Sequence, residues 1–110
     1  MQDIDKKLQH TLGLTDTEAL LYVACLPHES VGVADAVKLT GIKRTTIYHA
    51  LDTLVYKGFA AKKGAAGKVV FSMIAPRSLQ HTLIAQKFKI EKQQEDLQKL
   101  IPSLEVLKKG

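Results

Sequence analysis

The hydrophobic residues near the N-terminus recur three and four positions apart, which is the spacing of short amphipathic helices. This pattern predicts a first helix over residues 3–12 and a second over residues 16–26. Thr15 and Glu18 have the spacing of a capping box and mark the start of the second helix, and Pro27 marks its end. The chain is therefore predicted to open with two helices that are separated by a short turn.

Two further helices are predicted with a glycine turn between them. One spans residues 33–40 and the other residues 43–57, and Gly41 supplies the left-handed backbone conformation that a sharp turn needs. Gly58 ends the fourth helix. Three apolar residues recur at helical spacing along this helix and form its predicted buried stripe: Ile47, Leu51 and Leu54.

Beyond the fourth helix the pattern changes from helical to extended. The segments 60–63 and 68–74 flank the loop Gly64-Ala65-Ala66-Gly67 and are predicted to pair as a β-hairpin. Pro76 then opens a long helix, at a position where its missing amide is harmless. Helix, helix, tight turn, helix and hairpin is the order of a winged helix-turn-helix. We therefore predict a mainly α fold with a small β-hairpin, followed by a long C-terminal helix.

The long C-terminal helix carries a heptad repeat. Its apolar seam consists of Leu79, Leu83, Ile90, Leu97, Leu100, Leu104 and Leu107. Gln86 and Gln93 fill the two other seam positions, which weakens the seam and fixes its register, and Pro102 argues against a continuous rod. A lone helix would leave this stripe in water, so residues 76–110 are predicted to be a dimerisation helix for the winged helix-turn-helix domain at residues 1–75.

The net charge of +5 is distributed unevenly along the chain. Residues 1–40 hold three basic and six acidic side chains and sum to −3, whereas residues 76–110 hold seven and four and sum to +3. Residues 41–75 sum to +5, because six lysines and arginines are opposed by Asp52 alone. Clustered lysine and arginine gain free energy by releasing phosphate counterions, so the middle of the chain is predicted to contact a polyanion.

Four stretches of the sequence carry a family resemblance. Residues 12–19 (LGLTDTEA), 40–48 (TGIKRTTIY) and 51–59 (LDTLVYKGF) resemble the opening, the recognition helix and the exit into the wing of the TrmB-like transcriptional regulators. Ala75-Pro76, followed by a heptad helix, is similar to that family's passage from the wing to the dimerisation helix. The resemblance covers roughly residues 12–107, and its motifs are shared with MarR-like regulators.

The resemblance implies a homodimeric, sequence-specific regulator of transcription that binds double-stranded DNA at an inverted repeat. Two departures from the family pattern are visible. Members often carry a C-terminal effector domain that binds sugars, whereas this chain ends at Gly110 without one. Lys43 occupies a position where a proline or a better helix cap is common. A complete short regulator and a DNA-binding fragment of a longer one both stay open, and the small-molecule effector is unknown.

The candidate DNA contacts lie on the recognition helix and on the hairpin. The N-terminal half of a recognition helix enters the major groove, where Arg44 can make a bidentate contact to guanine. Thr45 and Thr46 can contact thymine methyl groups or phosphate oxygens. Lysines on both sides of the tip of the hairpin, or wing, favour phosphate or minor-groove contact. Lysine is also common on edge strands, where it prevents pairing with another strand. The full set is Lys43, Arg44, Thr45, Thr46, Tyr48, His49, Lys57, Lys62, Lys63 and Lys68.

Composition argues against other function classes. A single cysteine, Cys25, excludes an intrachain disulfide and a Cys-rich zinc site, and we expect it to be buried. The four histidines lack metal-ligand spacing, and neither a nucleophile elbow nor a glycine-rich phosphate loop is present. We therefore expect no catalytic site, metal or cofactor. The polar N-terminus and the absence of an apolar run near ~20 residues predict a cytoplasmic protein without a membrane span.

A hypothesis from a different class stays open beside the DNA-binding regulator. In it, the protein is a winged-helix interaction module that docks another protein through its long C-terminal helix. The basic charge at the turn and the wing argues against this alternative. Weak, salt-insensitive binding to DNA would favour it. The operator sequence, the direction of regulation and the orientation of the paired helices are not determined by the sequence.

Overall fold

The computed structural model describes residues 2–65 and 67–110 and confirms a mainly helical fold with one antiparallel hairpin. The elements in chain order are α1 Gln2–Leu12, α2 Asp16–Cys25, α3 Val33–Thr40, α4 Arg44–Lys57, β1 Ala60–Ala65, β2 Lys68–Met73, a 3-10 turn Pro76–Ser78 and α5 Leu79–Lys109. The chain divides after Leu79 into two compact units, of which the first holds the helix-turn-helix and the hairpin.

Side-chain contacts fix the start of α2. The Thr15 hydroxyl oxygen accepts a hydrogen bond from the Glu18 amide at 3.2 Å, and the Glu18 carboxylate accepts one from the Thr15 amide at 2.9 Å. These two bonds form the predicted capping box. They satisfy two amides that the open end of a helix would otherwise leave without protein partners.

The turn between α3 and α4 has the predicted glycine geometry. Gly41 adopts a left-handed conformation with φ of 72°, and its amide donates to the Val37 carbonyl at 2.7 Å. Lys43 has backbone angles of −56° and 138°, which lie outside the helical region. For this reason α4 begins at Arg44, one residue later than the sequence pattern predicts.

β1 and β2 form the predicted hairpin as an antiparallel pair. β1 continues to Ala65, two residues beyond its predicted end at Lys63. Gly64 allows this extension, because its φ is 131° and a Cβ at this position would overlap the carbonyl of Lys68. Ala66, which belongs to the predicted loop, lies outside the described residues.

A third short segment joins the hairpin. The Val31 amide donates to the Phe71 carbonyl at 2.8 Å, and the Phe71 amide donates back to the Val31 carbonyl at 2.7 Å. Both side chains are buried. Val31 falls in a segment that the sequence pattern indicates only as a loop, and its bridge attaches β2 to the residues just before α3.

The core of the first unit is built from α2, α4 and the hairpin. Its largest fully buried side chains are Tyr22, Phe59, Phe71, Leu21, Ile47, Leu51, Leu54 and Cys25. The predicted stripe of α4 and the predicted burial of Cys25 are thereby confirmed. On α2, Leu21 and Cys25 are buried more deeply than Val23 and Leu26. α2 packs against α1, α3 and α4, so its buried face is wider than one stripe.

Tyr22 connects the core to the segment that leaves the hairpin. Its ring is buried, and its hydroxyl donates to the Ile74 carbonyl at 2.6 Å. We expect Tyr22→Phe to lower the free energy of unfolding by about 1–2 kcal/mol, because the carbonyl loses its donor while the ring still fills the core. Urea denaturation measures this loss, and Tyr48→Phe, on a half-exposed ring, is the matched control. Equal stability of the two variants would contradict the assignment.

α5 is a continuous helix of 31 residues. It begins at Leu79 after the 3-10 turn, rather than at Pro76 as predicted, and it continues through Pro102. None of its residues is buried, and its seam residues are exposed by 36% at Leu83 to 74% at Leu107. Leu79 is different, because it packs against the core of the first unit. The remaining six seam residues leave an apolar stripe along a helix about 46 Å long.

Candidate nucleic-acid interface

α4 presents a polar face opposite its buried stripe. Successive helical residues are about 100° apart, so Thr45, His49, Asp52 and Tyr56 fall on one line along this face. The exposed predicted contacts on α4 are Arg44, Thr45, Thr46, Tyr48 and His49. The structure thus brings these five residues to the solvent side of a single helix.

The start of α4 concentrates positive charge. Lys43 occupies the N-cap and makes no side-chain capping hydrogen bond, Arg44 follows it, and the first turn contains no acidic residue. The N-terminal end of a helix carries partial positive charge, so cations there destabilise it by roughly 0.3–1 kcal/mol each. An anion bound at the same place would reverse this effect. Lys43 and Arg44 therefore favour anion binding at this end of α4, although they lower the stability of the free helix.

Lys62 folds back from the hairpin onto α4. Its Nζ lies 3.6 Å from Asp52 Oδ1, 5.7 Å from the centroid of the Tyr48 ring and 5.8 Å from that of Phe71. Lys62 stands opposite Phe71 in the hairpin register, so both side chains belong to the same face. Lys62 therefore connects the hairpin to α4, in addition to adding charge to the surface.

The other two wing lysines are exposed. Lys63 follows Lys62 on β1, and successive side chains of a strand point to opposite faces, so Lys63 belongs to the other face of the hairpin. Lys68 begins β2, at the tip. These two lysines add exposed positive charge to the wing.

Lys57 is held inside the first unit by a buried acid. Its Nζ is 2.7 Å from Glu18 Oε1 and 3.4 Å from the carbonyl oxygen of Gly13, and Thr53 donates its hydroxyl to Glu18 Oε2. The Glu18 side chain is 3% exposed and that of Lys57 31%. The cluster attaches α4 to α2 and to the end of α1. In this cluster the Lys57 ammonium is paired within the first unit.

The environment of Glu18 has opposing effects on its pKa. Burial by itself raises the pKa of this carboxyl group. The hydrogen bonds from Lys57, Thr53 and the Thr15 amide, together with the charge of Lys57, outweigh burial and hold the pKa below its usual value of 4.5. Glu18 is therefore a buried anion at neutral pH, and its charge is balanced by Lys57.

Sequence reasoning missed two features of this surface. Tyr56 is 81% exposed and lies on the same line of α4 as His49, seven residues earlier. The helical spacing that selects His49 would also have selected Tyr56. A cleft of about 290 Å³ lies between α2 and α4, with Thr17 and Thr46 in its lining. No local pattern indicates this cleft, because it depends on how α2 packs on α4.

The described residues also bear on metal binding, thiol reactivity and membrane spanning. Among these residues, no group of three or more His, Cys, Asp or Glu side chains is placed to hold a metal ion. Burial raises the pKa of the Cys25 thiol, which keeps it in its unreactive form. Among the described helices, none is both long enough and apolar enough to cross a bilayer.

Solved structures share this fold. TrmBL2, described as an archaeal chromatin protein with a novel mode of DNA binding, superposes with a TM-score of 0.72 at 20% identity, over 94% of this chain and 40% of that one. ST1889 from Sulfolobus tokodaii superposes with a TM-score of 0.62 at 14% identity, over 82% of this chain and 93% of that one. The repressor MarR from Listeria monocytogenes superposes with a TM-score of 0.57 at 19% identity, over 99% of this chain and 84% of that one. The chain thus spans well under half the length of the TrmBL2 chain.

Sequence comparison identifies the family. No curated protein matches the sequence. The sequence profile described as "Sugar-specific transcriptional regulator TrmB" matches residues 8–77, which include the whole helix-turn-helix and the hairpin. This match covers more than half of the chain and agrees with the winged-helix geometry of the first unit. The chain belongs to the TrmB family of winged-helix transcriptional regulators.

Proposed function

We propose that the protein is a homodimeric regulator that recognises a specific sequence in double-stranded DNA. In this proposal α4 lies in the major groove, the hairpin contacts the adjacent backbone or minor groove, and α5 pairs two copies. The family and the winged-helix fold support DNA binding in general. The groove, the contacts, the dimer and the operator are specific to this proposal.

The observation that carries the proposal is the positive charge at the start of α4. Lys43 and Arg44 lie at a helix end where they destabilise the free protein, and no acidic side chain in the first turn offsets them. A DNA phosphate at this end would be attracted by both side chains and by the helix end itself. In this proposal, the two basic residues lower the stability of α4 in the free protein and increase its affinity for DNA.

The remaining contacts divide by chemistry. Arg44 has the fork of donors that pairs with guanine O6 and N7, and Thr45 and Thr46 present methyl and hydroxyl groups to the groove. Tyr48 and His49 extend this surface. The lysines of the wing give affinity without sequence information, because phosphates are the same at every base pair. Lys63 and Lys68 act in this way, while Lys57 and Lys62 position α4 and the wing.

The occupant of the α5 stripe is proposed to be a second copy of the chain. The stripe keeps a seven-residue period, which is the spacing that two helices share when they pair along their length. Its exposed members are Leu83, Ile90, Leu97, Leu100, Leu104 and Leu107. A two-fold dimer would place two recognition helices in successive major grooves about 34 Å apart, and its operator would be an inverted repeat.

Arg44→Ala and Lys63→Ala separate base reading from phosphate contact. We expect Arg44→Ala to weaken binding to the selected operator by about 1–3 kcal/mol and to relax specificity at one position of each half-site. Lys63→Ala should weaken binding to operator and random duplex alike. It should also reduce the slope of log affinity against log salt concentration by about one in magnitude. Titrations of both duplexes at several salt concentrations measure these effects.

A charge-matched control for both variants is Lys7→Ala, which removes an exposed lysine from α1. This control should bind like the wild type, apart from a small effect of net charge. The assignment of α4 as the recognition helix is wrong if Arg44→Ala binds operator and random duplex as the wild type does.

The alternative, a protein-docking module, is favoured by the same exposed stripe of α5. It predicts weak DNA binding that does not depend on salt. A sequence-independent role on DNA is a further outcome, since TrmBL2 is described as a chromatin protein. In that case binding would depend steeply on salt, but no operator would be enriched.

A further inference from the structure

Asp52 is an acidic residue in the middle of a basic surface. It is the only acidic side chain between residues 41 and 75, where six basic side chains occur. It lies on the outward line of α4, three residues after His49 and four before Tyr56, and its side chain is 43% exposed. A carboxylate at this place would be repelled by DNA phosphates, so its presence on the proposed groove face needs an explanation.

The contact with Lys62 reduces this repulsion. Lys62 Nζ lies 3.6 Å from Asp52 Oδ1 and is also close to the faces of the Tyr48 and Phe71 rings. The ammonium group offsets the negative charge locally, and the two rings restrict where the lysine can go. A carboxylate has two oxygens with about four lone-pair sites, so one ion pair through Oδ1 leaves it able to accept another hydrogen bond.

The acceptor chemistry of a carboxylate matches one base. In the major groove cytosine presents the N4 amino donor, whereas guanine presents only acceptors. Adenine places an acceptor, N7, beside its amino donor, and an ionised carboxylate has no proton to donate to that acceptor. Resting on the function proposed above, we infer that Asp52 is a specificity-determining residue that accepts from cytosine N4 in each half-site. Lys62 is its positioning residue.

The competing explanation is that Asp52 serves only to attach the wing to α4 through Lys62. That role would affect stability or affinity, and it would affect all DNA sequences equally. A base-reading role would instead change which sequences are chosen. Selection from a random duplex pool therefore separates the two explanations, because its readout is a sequence preference and not an activity.

The test compares the operators that the wild type and Asp52→Asn select from the same pool. We expect a cytosine at one position of each wild-type half-site. Asparagine pairs with N6 and N7 of adenine, so the variant should prefer adenine at that position and leave the others unchanged. In competition binding, the cytosine-to-adenine preference at that position should shift by roughly tenfold.

Asp96→Asn is the matched control. Asp96 also pairs with a lysine, Lys92 at 3.5 Å, but it lies on α5, outside the proposed groove face. It should select the wild-type operator. A second variant, Lys62→Met, should weaken binding to all sequences, because Asp52 is then no longer neutralised, and should reduce the preference for cytosine without replacing it with a preference for adenine.

The outcomes distinguish this inference from the proposed function. If the wild type selects an operator and Asp52→Asn selects the same one, the reading role of Asp52 is overturned while the regulator proposal stands. If the wild type selects no operator, the regulator proposal fails and the inference fails with it. A change confined to the cytosine position supports both.

Discussion

Replacing Lys57 with methionine should lower the free energy of unfolding by about 3 kcal/mol near neutral pH. The substitution keeps the aliphatic stem but leaves the Glu18 carboxylate buried without its cation. The expected loss lies at the lower end of the range for buried pairs, because the Lys57 side chain is 31% exposed. Urea denaturation measures it. Lys63→Met is the control, since it removes an exposed lysine and should change stability by no more than about 0.5 kcal/mol.

The pH dependence of this loss identifies its cause. In the wild type the pKa of Glu18 in the folded state lies below its usual 4.5, so its stabilisation is present above that value and is lost as the pH falls through the lowered pKa. In Lys57→Met burial still raises the pKa of Glu18, while the hydrogen bond and the charge of Lys57 are gone. The deficit should therefore shrink between about pH 7 and about pH 4, as Glu18 becomes protonated.

Two observations would contradict the account of this cluster. One is a deficit of equal size at both pH values, which would assign the loss to packing instead of to an unpaired charge. The other is a larger loss for Glu18→Gln than for Lys57→Met. The glutamine keeps an acceptor for the Thr15 amide and leaves the partly exposed Lys57 free to reach water, so its loss should be the smaller of the two.

Replacing Leu97 and Leu100 together with glutamate should convert the proposed dimer into a monomer. Two charges at adjacent seam positions would remove apolar area and would repel the same charges on the partner helix. The affinity for the two-half-site operator should fall by roughly 100-fold or more, because the second half-site is then no longer bound intramolecularly. Light scattering gives the oligomeric state, and binding titrations give the affinity.

The matched control makes the same chemical change outside the seam. Ile84 and Val106 are exposed apolar residues of α5 at positions other than those that form the heptad seam. Their double replacement with glutamate should leave a dimer that binds the operator. A Leu97→Glu/Leu100→Glu variant that stays dimeric would show that the seam does not hold two copies together. Retained thermal unfolding of the first unit would show that the effect is not a folding defect.

Local signals account for the parts of the fold that the sequence predicted well. The capping box at Thr15 and Glu18 and the left-handed glycines at positions 41 and 58 each involve residues within a few positions of one another. Such contacts depend little on the rest of the chain. They set the start of α2 and the ends of α3 and α4. The buried stripe of α4 follows from the helical spacing of its apolar residues.

The structural features that the sequence did not predict depend on contacts between residues far apart in the chain. The Val31–Phe71 bridge joins segments forty residues apart, and no local pattern specifies that pairing. The capping box explains why Glu18 lies in the first turn of α2, but the burial of its carboxylate against Lys57 depends on how α2 packs on α4. The sequence therefore indicated the charge of Lys57 but not its ion pair with Glu18.

The candidate site shows the same division between local and tertiary information. Helical spacing placed Arg44, Thr45 and His49 on one exposed face of α4. It could not show that Lys62 folds back onto this helix, because that contact depends on the hairpin register and on the position of Phe71. The ion pair between Lys62 and Asp52 is therefore seen only in the three-dimensional structure.

Selection from a random pool of duplex DNA at two salt concentrations tests the central claim most directly. We predict an enriched inverted repeat with half-sites about 10 base pairs apart from centre to centre, and an affinity that falls steeply with salt. Salt-dependent binding without an enriched sequence would contradict sequence-specific recognition. No binding even at low salt would contradict the DNA interface itself and would favour a protein partner on α5.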